Sequence, residues 1–209
     1  MKPQRLTFAL PFLLVLAGCS ILGSEQRDPV TIYAPDVRVA PQAGWPQVDW
    51  TLIIAKPTAA RVIDSPRISV RPMPGELQVY RGVSWALPAT DMLQDAVQRT
   101  LEDSGRITAV ASADAGILGE YKLVMDLRRF EADYAGGTLP SAVVEVNAKL
   151  VNNRGQRVVA SRTFLQQKPA NSVDVAQVAT AFEEALEAAT ADIAGWVLVS
   201  GNGDPNAER

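Results

Sequence analysis

The 209-residue sequence has no histidine and one cysteine, Cys19. Without histidine the chain lacks the commonest general base and metal ligand, so serine–histidine and cysteine–histidine catalysis are excluded. A single cysteine cannot form a disulfide within one chain. The sequence also has no glycine-rich phosphate loop and no carboxylates at calcium-loop spacing. We therefore expect a protein that is not an enzyme and binds no metal or other cofactor.

Basic residues are also too few and too scattered for a nucleic-acid partner. Lys and Arg number 20 against 23 Asp and Glu, for a net charge of −3. A protein that binds nucleic acid normally carries a basic patch or stripe, so we expect no such partner. The apolar fraction of 47% excludes wholesale disorder, and the length suits one domain with its own core.

No apolar run reaches the ~20 residues of a spanning helix, and the longest one lies at the N-terminus. Lys2 and Arg5 precede an apolar stretch from Leu6 to Ala17, and Gly18 comes directly before Cys19. This order predicts a cleaved signal peptide over residues 1–18. The small residues before the cysteine resemble a bacterial lipobox. An ordinary signal peptide, with Cys19 free or removed, is the alternative.

The lipobox resemblance implies covalent acylation of Cys19. The sulfur would carry diacylglycerol and the new amino terminus a further acyl chain such as palmitate, and several chains together anchor a protein almost permanently. Ser20 stands where an Asp commonly retains lipoproteins in the inner membrane. The expected location is therefore the inner leaflet of the outer membrane, with the domain facing the periplasm.

Beyond the anchor, composition divides the mature chain into three parts. Residues 19–47 are rich in Pro, Gly, Asp and Gln, which predicts an extended tether with room for a short strand from Val30 to Tyr33. Residues 48–200 form the predicted domain, and residues 201–209 a disordered polar tail. Trp45 and Trp50 are interpreted as side chains that cap the core, with contact to lipid or a partner as the alternative.

Seven strands and two helices are predicted within this domain. The helices run from about Pro88 to Ser104 and from an N-cap at Ser172 to about Val199, each with one apolar stripe. A helical turn is expected from Thr58 to Ile63. Apolar alternation and turn residues predict strands at 48–55, 67–71, 77–80, 107–111, 120–130, 144–150 and 158–165.

This element order predicts an α+β fold: a two-layer sandwich with a largely antiparallel sheet and two amphipathic helices on one face. The other face of the sheet would be open. An apolar open face, or an edge strand, could bind a partner or lipid.

Several motifs in this order resemble the ABC-type transport auxiliary lipoprotein component family. They are Leu52-Ile-Ile-Ala-Lys-Pro, Asp64-Ser-Pro-Arg-Ile-Ser-Val-Arg-Pro, Tyr80-Arg-Gly-Val-Ser-Trp-Ala-Leu-Pro and the helix that begins near Met92. The resemblance implies a lipoprotein that assists an ABC transporter with an MCE-domain protein, moves lipid between two membranes and docks the assembly at the outer membrane.

The same motifs contain three candidate contacts to a partner or a phospholipid headgroup, namely Arg67, Arg71 and Trp85. Exposed strand positions are the alternative for the two arginines, and core packing is the alternative for Trp85. Two other functions stay open: a structural or assembly lipoprotein of another outer-membrane machine, and a phospholipid carrier. The sequence also leaves open a homo-oligomer and the identity of the transported lipid.

Overall fold

The computed structural model describes residues 29–204, which contain ten β-strands and two α-helices. The elements in chain order are β1 (Thr31–Tyr33), β2 (Thr51–Ile54), β3 (Thr58–Ala59), β4 (Ser69–Arg71), β5 (Gln78–Val79), β6 (Val83–Trp85), α1 (Ala89–Ser104), β7 (Ala109–Ser112), β8 (Tyr121–Asp133), β9 (Ser141–Asn152), β10 (Arg157–Pro169) and α2 (Val175–Asn202).

Three long strands, β8, β9 and β10, form an antiparallel meander that makes up most of the sheet. In β8 the side chains of Tyr121, Leu123, Met125 and Leu127 are buried and alternate with more exposed ones, as their spacing predicts. The register shifts between Leu127 and Arg129, so a bulge interrupts the alternation there. The predicted hairpin between β9 and β10 is confirmed.

The other edge of β8 pairs with short strands that run parallel to it. β2, β3 and β4 follow one another along this edge, and β7 extends the sheet by pairing in parallel with β2. The sheet is therefore mixed: antiparallel in its long strands and parallel in most of its short ones. The helical turn predicted from Thr58 to Ile63 is wrong at its start, because Thr58 and Ala59 pair with β8 as β3.

Both helices pack on one face of the sheet, so the predicted α+β two-layer sandwich is confirmed. α2 lies against β9 and β10, while α1 contacts α2 and β7. Gly105 ends α1 in the left-handed conformation, with φ of 61°, as its place after the apolar stripe predicts. α2 starts later than predicted, with Asp174 rather than Ser172 at the N-cap position.

Residues upstream of β2 lie on this domain. β1 pairs in parallel with β6, and Tyr33 packs edge-on against Trp85 at 6.4 Å between ring centroids. The chain then runs over both helices: the backbone N of Asp36 donates to Glu183 on α2, and Trp45 is buried. The tether predicted for residues 19–47 lies outside the described residues up to residue 28, and its described part follows this path.

The C-terminal end differs from the predicted disordered tail. α2 continues to Asn202, Gly201 is buried within it, and Asp204 is buried just beyond. The tail predicted from residue 201 is thus wrong for residues 201–204, because their contacts bind them to the domain. Residues 205–209 lie outside the described residues.

Candidate interaction surface at the distal end of the sheet

One end of the sandwich, which we call the distal end, lies where β8 begins and where β9 and α2 finish. The four residues between Ala115 and Glu120, Gly116-Ile117-Leu118-Gly119, lead into β8 at this end. The side chain of Leu118 is 95% exposed, and Ile117 is exposed by more than half. We call this segment the Ile117–Leu118 loop. Two neighbouring aliphatic side chains in water gain nothing from intramolecular packing, which is typical of a contact surface.

Glycine is required at both ends of this loop. Gly116 has a φ of 69°, in the left-handed region that side chains disfavour. At Gly119 a Cβ would lie 2.8 Å from the carbonyl O of Thr51 and 2.9 Å from a side-chain carbon of Ile53. The loop therefore passes close to β2 in a defined conformation.

Hydrogen bonds also hold the base of the loop. The Asn153 side chain donates to the Gly119 carbonyl at 2.8 Å, and its backbone N donates to the Glu120 carbonyl at 2.8 Å. The Glu120 carboxylate in turn accepts a hydrogen bond from the backbone N of Thr51 at 2.8 Å. Because its C-terminal flank is attached to the sheet, the loop presents its two aliphatic side chains from a rigid base.

A cleft of about 370 Å³ opens next to the loop. It shares Glu120 with the loop base, and its charged lining residues are two acids and one arginine. Its lining residues are Asp49, Trp50, Glu120, Tyr121, Arg154, Gly201 and Asn202. The distal end thus combines an exposed aliphatic tip with a polar, charged recess, the usual composition of a protein-binding surface.

A buried carboxylate fixes the floor of this cleft. Asp204, with a fully buried side chain, accepts hydrogen bonds from the Tyr121 hydroxyl at 3.1 Å and the Asn152 amide at 3.2 Å. Its other oxygen pairs with the guanidinium of Arg157. Burial, followed by the nearby Asp204 charge, raises the pKa of Tyr121 to about 12, so the phenol stays protonated as a donor.

Two tryptophans join the N-terminal segment to α2 near this end. Trp50 packs edge-on against Tyr121, with ring centroids 4.8 Å apart, and lies directly over Gly201. Trp45 lies over Gly195, about 1.7 turns earlier on the helix. Both indoles are buried, so these residues contribute to the core as the sequence suggests.

The structure separates the residues that the sequence singles out. Cys19 lies outside the described residues. Trp85 is only 2% exposed and packs against Phe130 and Phe182, with ring centroids at 5.9 and 5.2 Å, so it is not available at the surface. Arg67 is exposed next to β4 and remains open to a partner.

Arg71, the third candidate, is held in an ion-pair cluster on the open face. Its guanidinium donates to both carboxylate oxygens of Glu131 at 2.9 Å, and Arg129 donates to the same carboxylate at 2.8 Å. Burial raises the pKa of the Glu131 carboxyl, but the hydrogen bonds from Arg71 and Arg129 outweigh burial and hold that pKa below its ordinary value. A bidentate partner of this kind leaves Arg71 committed within the chain.

The open face of the sheet is polar, which the sequence does not reveal. Asn147 donates to Thr163 at 3.0 Å across β9 and β10, and Arg128 pairs with Asp126 and Glu145. A large apolar partner or lipid surface is therefore not expected to cover this face.

The sequence did not predict two features of the distal end, the exposed pair Ile117 and Leu118 and the buried Asp204. The pair lies between predicted strands, and Asp204 lies within the predicted tail. Apolar residues between two glycines, outside any alternating strand, are the available signal for the first pair. No local sequence pattern predicts that Asp204 is buried, because its hydrogen-bond partners are 47, 52 and 83 residues away in sequence.

Within residues 29–204, no helix is both long enough and apolar enough to cross a bilayer. The same residues contain no group of three or more Cys, Asp or Glu side chains that could hold a metal ion.

The family described as ABC-type transport auxiliary lipoprotein component matches residues 31–194. The uncharacterized protein bll6063 of Bradyrhizobium diazoefficiens is 28% identical over 155 residues, which are 72% of this chain and 40% of that protein. The chain thus spans well under half of that relative.

Two solved structures are similar to this chain. Protein XCC0632 from Xanthomonas campestris, of family DUF330, is 58% identical, with a TM-score of 0.81 over 84% of this chain and 99% of that one. An uncharacterized protein of known crystal structure is 12% identical, with a TM-score of 0.61 over 79% of this chain and 97% of that one, and shares the fold.

Proposed function

The chain belongs to the ABC-type transport auxiliary lipoprotein component family, and from this premise we propose that it docks an MCE-type ABC system at the outer membrane. The system would move lipid between the inner and outer membranes. In this proposal Cys19 carries diacylglycerol and an N-acyl chain in the inner leaflet of the outer membrane. The domain faces the periplasm and has no catalytic role.

The observation that supports docking is the Ile117–Leu118 loop. Its base is attached to β2 and to the β9–β10 turn, and Leu118 is 95% exposed. Rigid presentation lowers the conformational entropy that binding costs, and an aliphatic tip beside a polar cleft suits a protein partner. We assign this surface to the MCE-domain protein or its permease.

A role as phospholipid carrier is less well supported. A carrier needs an apolar cavity, but the apolar side chains between the helices and the sheet pack against one another in one continuous core. These side chains are therefore not available to line a lipid site. The polar open face offers no substitute.

Site-specific photocrosslinking in living cells tests the docking surface. A photoreactive amino acid replaces Leu118 in the lipidated protein, and crosslinked partners are identified by mass spectrometry. Leu165 on β10 is the matched control, because it is a leucine that is exposed by half but lies on another part of the domain. We expect position 118 to capture an MCE-domain protein or the permease, and position 165 to capture neither.

An affinity pull-down of the intact lipoprotein from membranes supplies the second test, with Cys19→Ala as the control. Recovery of the MCE or ATPase–permease subunits, lost in the control, supports docking through an anchored protein. Recovery of a different outer-membrane machine would overturn the transport assignment in favour of a structural lipoprotein. A native mass spectrum with phospholipid bound beyond the covalent acyl chains would favour the carrier.

A further inference from the structure

The end of the sandwich opposite to the distal end carries a second exposed apolar surface. Three loops lie there, at residues 72–77, 134–140 and 170–174, and we call this the proximal end. The backbone N of Tyr134 donates to the Arg71 carbonyl at 3.0 Å, and that of Ala170 donates to the Pro140 carbonyl at 2.9 Å. The first bond joins the second loop to the end of β4, directly before the first loop, and the second bond joins the second loop to the third.

Each of the three loops exposes one large apolar side chain. Met73, Leu139 and Val173 are all more than half exposed, and each lies in a different loop. Charged residues in these loops are limited to Glu76 and Asp174, with no Lys or Arg. The distal loops differ, because residues 113–120 and 153–156 include Asp114, Glu120 and Arg154.

The direction of the N-terminal chain connects this end to the anchor. β8 runs toward the proximal end and β4 runs parallel to it, whereas β5 is antiparallel to β4. β6 continues in the direction of β5. The backbone N of Trp85 on β6 donates to the carbonyl of Pro66, which precedes β4 in the chain. β1 is parallel to β6, so the described chain enters β1 at Thr31 from the side of the proximal end.

Val30, the residue before β1, is also more than half exposed. Val30 is eleven residue steps from Cys19, and a fully extended chain of that length spans at most about 40 Å. A lipid on Cys19 would therefore keep the start of β1 within reach of the bilayer.

We propose that the proximal end rests, through Met73, Leu139 and Val173 in its three loops, on the phospholipid surface that holds Cys19. The aliphatic tips insert at the boundary of headgroups and acyl chains. The inference rests on the proposed function only in that Cys19 is acylated. The phospholipid that these loops contact is zwitterionic. Loops with two carboxylates and no Lys or Arg gain no electrostatic attraction from anionic lipid.

The anchor makes this weak contact effective. Single aliphatic side chains contribute little binding by themselves, but tethering turns their insertion into an intramolecular step at high effective concentration. The result is a fixed orientation: the proximal end lies on the membrane, and the Ile117–Leu118 loop points away from it toward a partner.

Fluorescent labelling of the lipidated protein tests this orientation. Acylation occupies the sulfur of Cys19, so an introduced cysteine is the only free thiol. Leu139→Cys and Val173→Cys report on the proximal end, and Leu118→Cys and Val199→Cys are controls at the distal end, all at exposed positions. Each carries an environment-sensitive nitrobenzoxadiazole label in phosphatidylcholine–phosphatidylethanolamine vesicles, with and without spin-labelled lipid as quencher.

We expect blue-shifted emission and quenching at residues 139 and 173, and water-like unquenched emission at 118 and 199. Replacing part of the zwitterionic lipid with phosphatidylglycerol should not increase the quenching. Unquenched labels at 139 and 173, or equal quenching at both ends, would overturn the inference.

Failure here is distinguishable from failure of the proposed function. If mass spectrometry shows acylated Cys19 and the proximal labels stay in water, the membrane contact is absent, while crosslinking from Leu118 still tests docking. A second measurement adds Met73→Gln and Leu139→Gln to the lipidated protein that carries the label at Val173→Cys. Both substitutions replace exposed aliphatic side chains of the proximal end with polar ones. We expect weaker quenching and red-shifted emission at residue 173, and an unchanged signal counts against insertion.

Discussion

Gly195 on α2 lies against the indole ring of Trp45, so closely that a Cβ at residue 195 would come within 2.5 Å of the Trp45 Nε1 atom. This contact joins the N-terminal segment to the helix. A second contact of the same kind, between Gly201 and Trp50, follows at the end of α2.

Gly195→Ala should therefore destabilise the protein, by about 1–3 kcal/mol, because the new methyl group overpacks the contact. The same change at an unhindered helical position stabilises by roughly 0.5–1 kcal/mol, so the sign is diagnostic. Urea denaturation measures the effect. Trp45→Leu in the same protein should remove most of the penalty, and an undiminished penalty would mean that the indole is not its source.

Asp204→Ala should cost on the order of 3 kcal/mol of unfolding free energy. The change leaves the Asn152 amide and the partly buried Arg157 without this acceptor, and the buried Tyr121 hydroxyl with the Gly201 carbonyl at 3.3 Å alone. Asp192→Ala is the matched control: that carboxylate is exposed and accepts a hydrogen bond from Gln166, so its loss should cost below about 1 kcal/mol. Similar losses in the two variants would show that residue 204 contributes no buried network.

Glu131→Gln should also cost on the order of 3 kcal/mol at neutral pH, because it removes the charge that Arg71 and Arg129 share. The pKa of Glu131 is lower in the folded protein than in the unfolded chain. Its contribution is therefore complete above the unfolded value of about 4.3, and declines as pH falls toward the folded value. Urea titrations from pH 7 to pH 3 should show the wild type and variant converging, and a constant difference would contradict this.

Trp85→Ala should destabilise by about 3–5 kcal/mol, because it empties the aromatic core around Phe130 and Phe182. Arg67→Ala should change stability by no more than about 0.5 kcal/mol. Any loss of Leu118 crosslinking in Arg67→Ala would thus report a contact rather than unfolding. Thermal denaturation, monitored by circular dichroism, measures the stability of both variants. A Trp85→Ala protein as stable as the wild type would disprove that Trp85 belongs to the core.

The helices and the long strands could be predicted because burial repeats at short sequence intervals. Ala89, Leu93, Ala96, Val97 and Leu101 recur at the helical period and are all buried on α1. The N-cap of α2 could not be assigned correctly, since Ser172 and Asp174 are both favourable cap residues two positions apart.

The candidate site was less predictable than the fold. Trp85 and Arg71 attract attention because they lie in recognisable motifs, but each contacts residues distant in sequence that remove it from the surface. Leu118 lies in no motif. Its exposure depends on where the sheet ends, and a leucine of the same sequence context could as well have been buried.

The sequence by itself determined the two helices and the long strands, the α+β class, the absence of histidine chemistry and the position of Cys19 after a signal-like segment. These follow from composition and from patterns within a few turns of chain. Only the tertiary structure decided that β2, β3 and β4 run parallel to β8, that Asp204 is buried, and that exposed apolar side chains occupy both ends of the sandwich. Strand direction and pairing depend on contacts between residues about 60 or more positions apart, and short strands of two to four residues carry too little pattern to specify them.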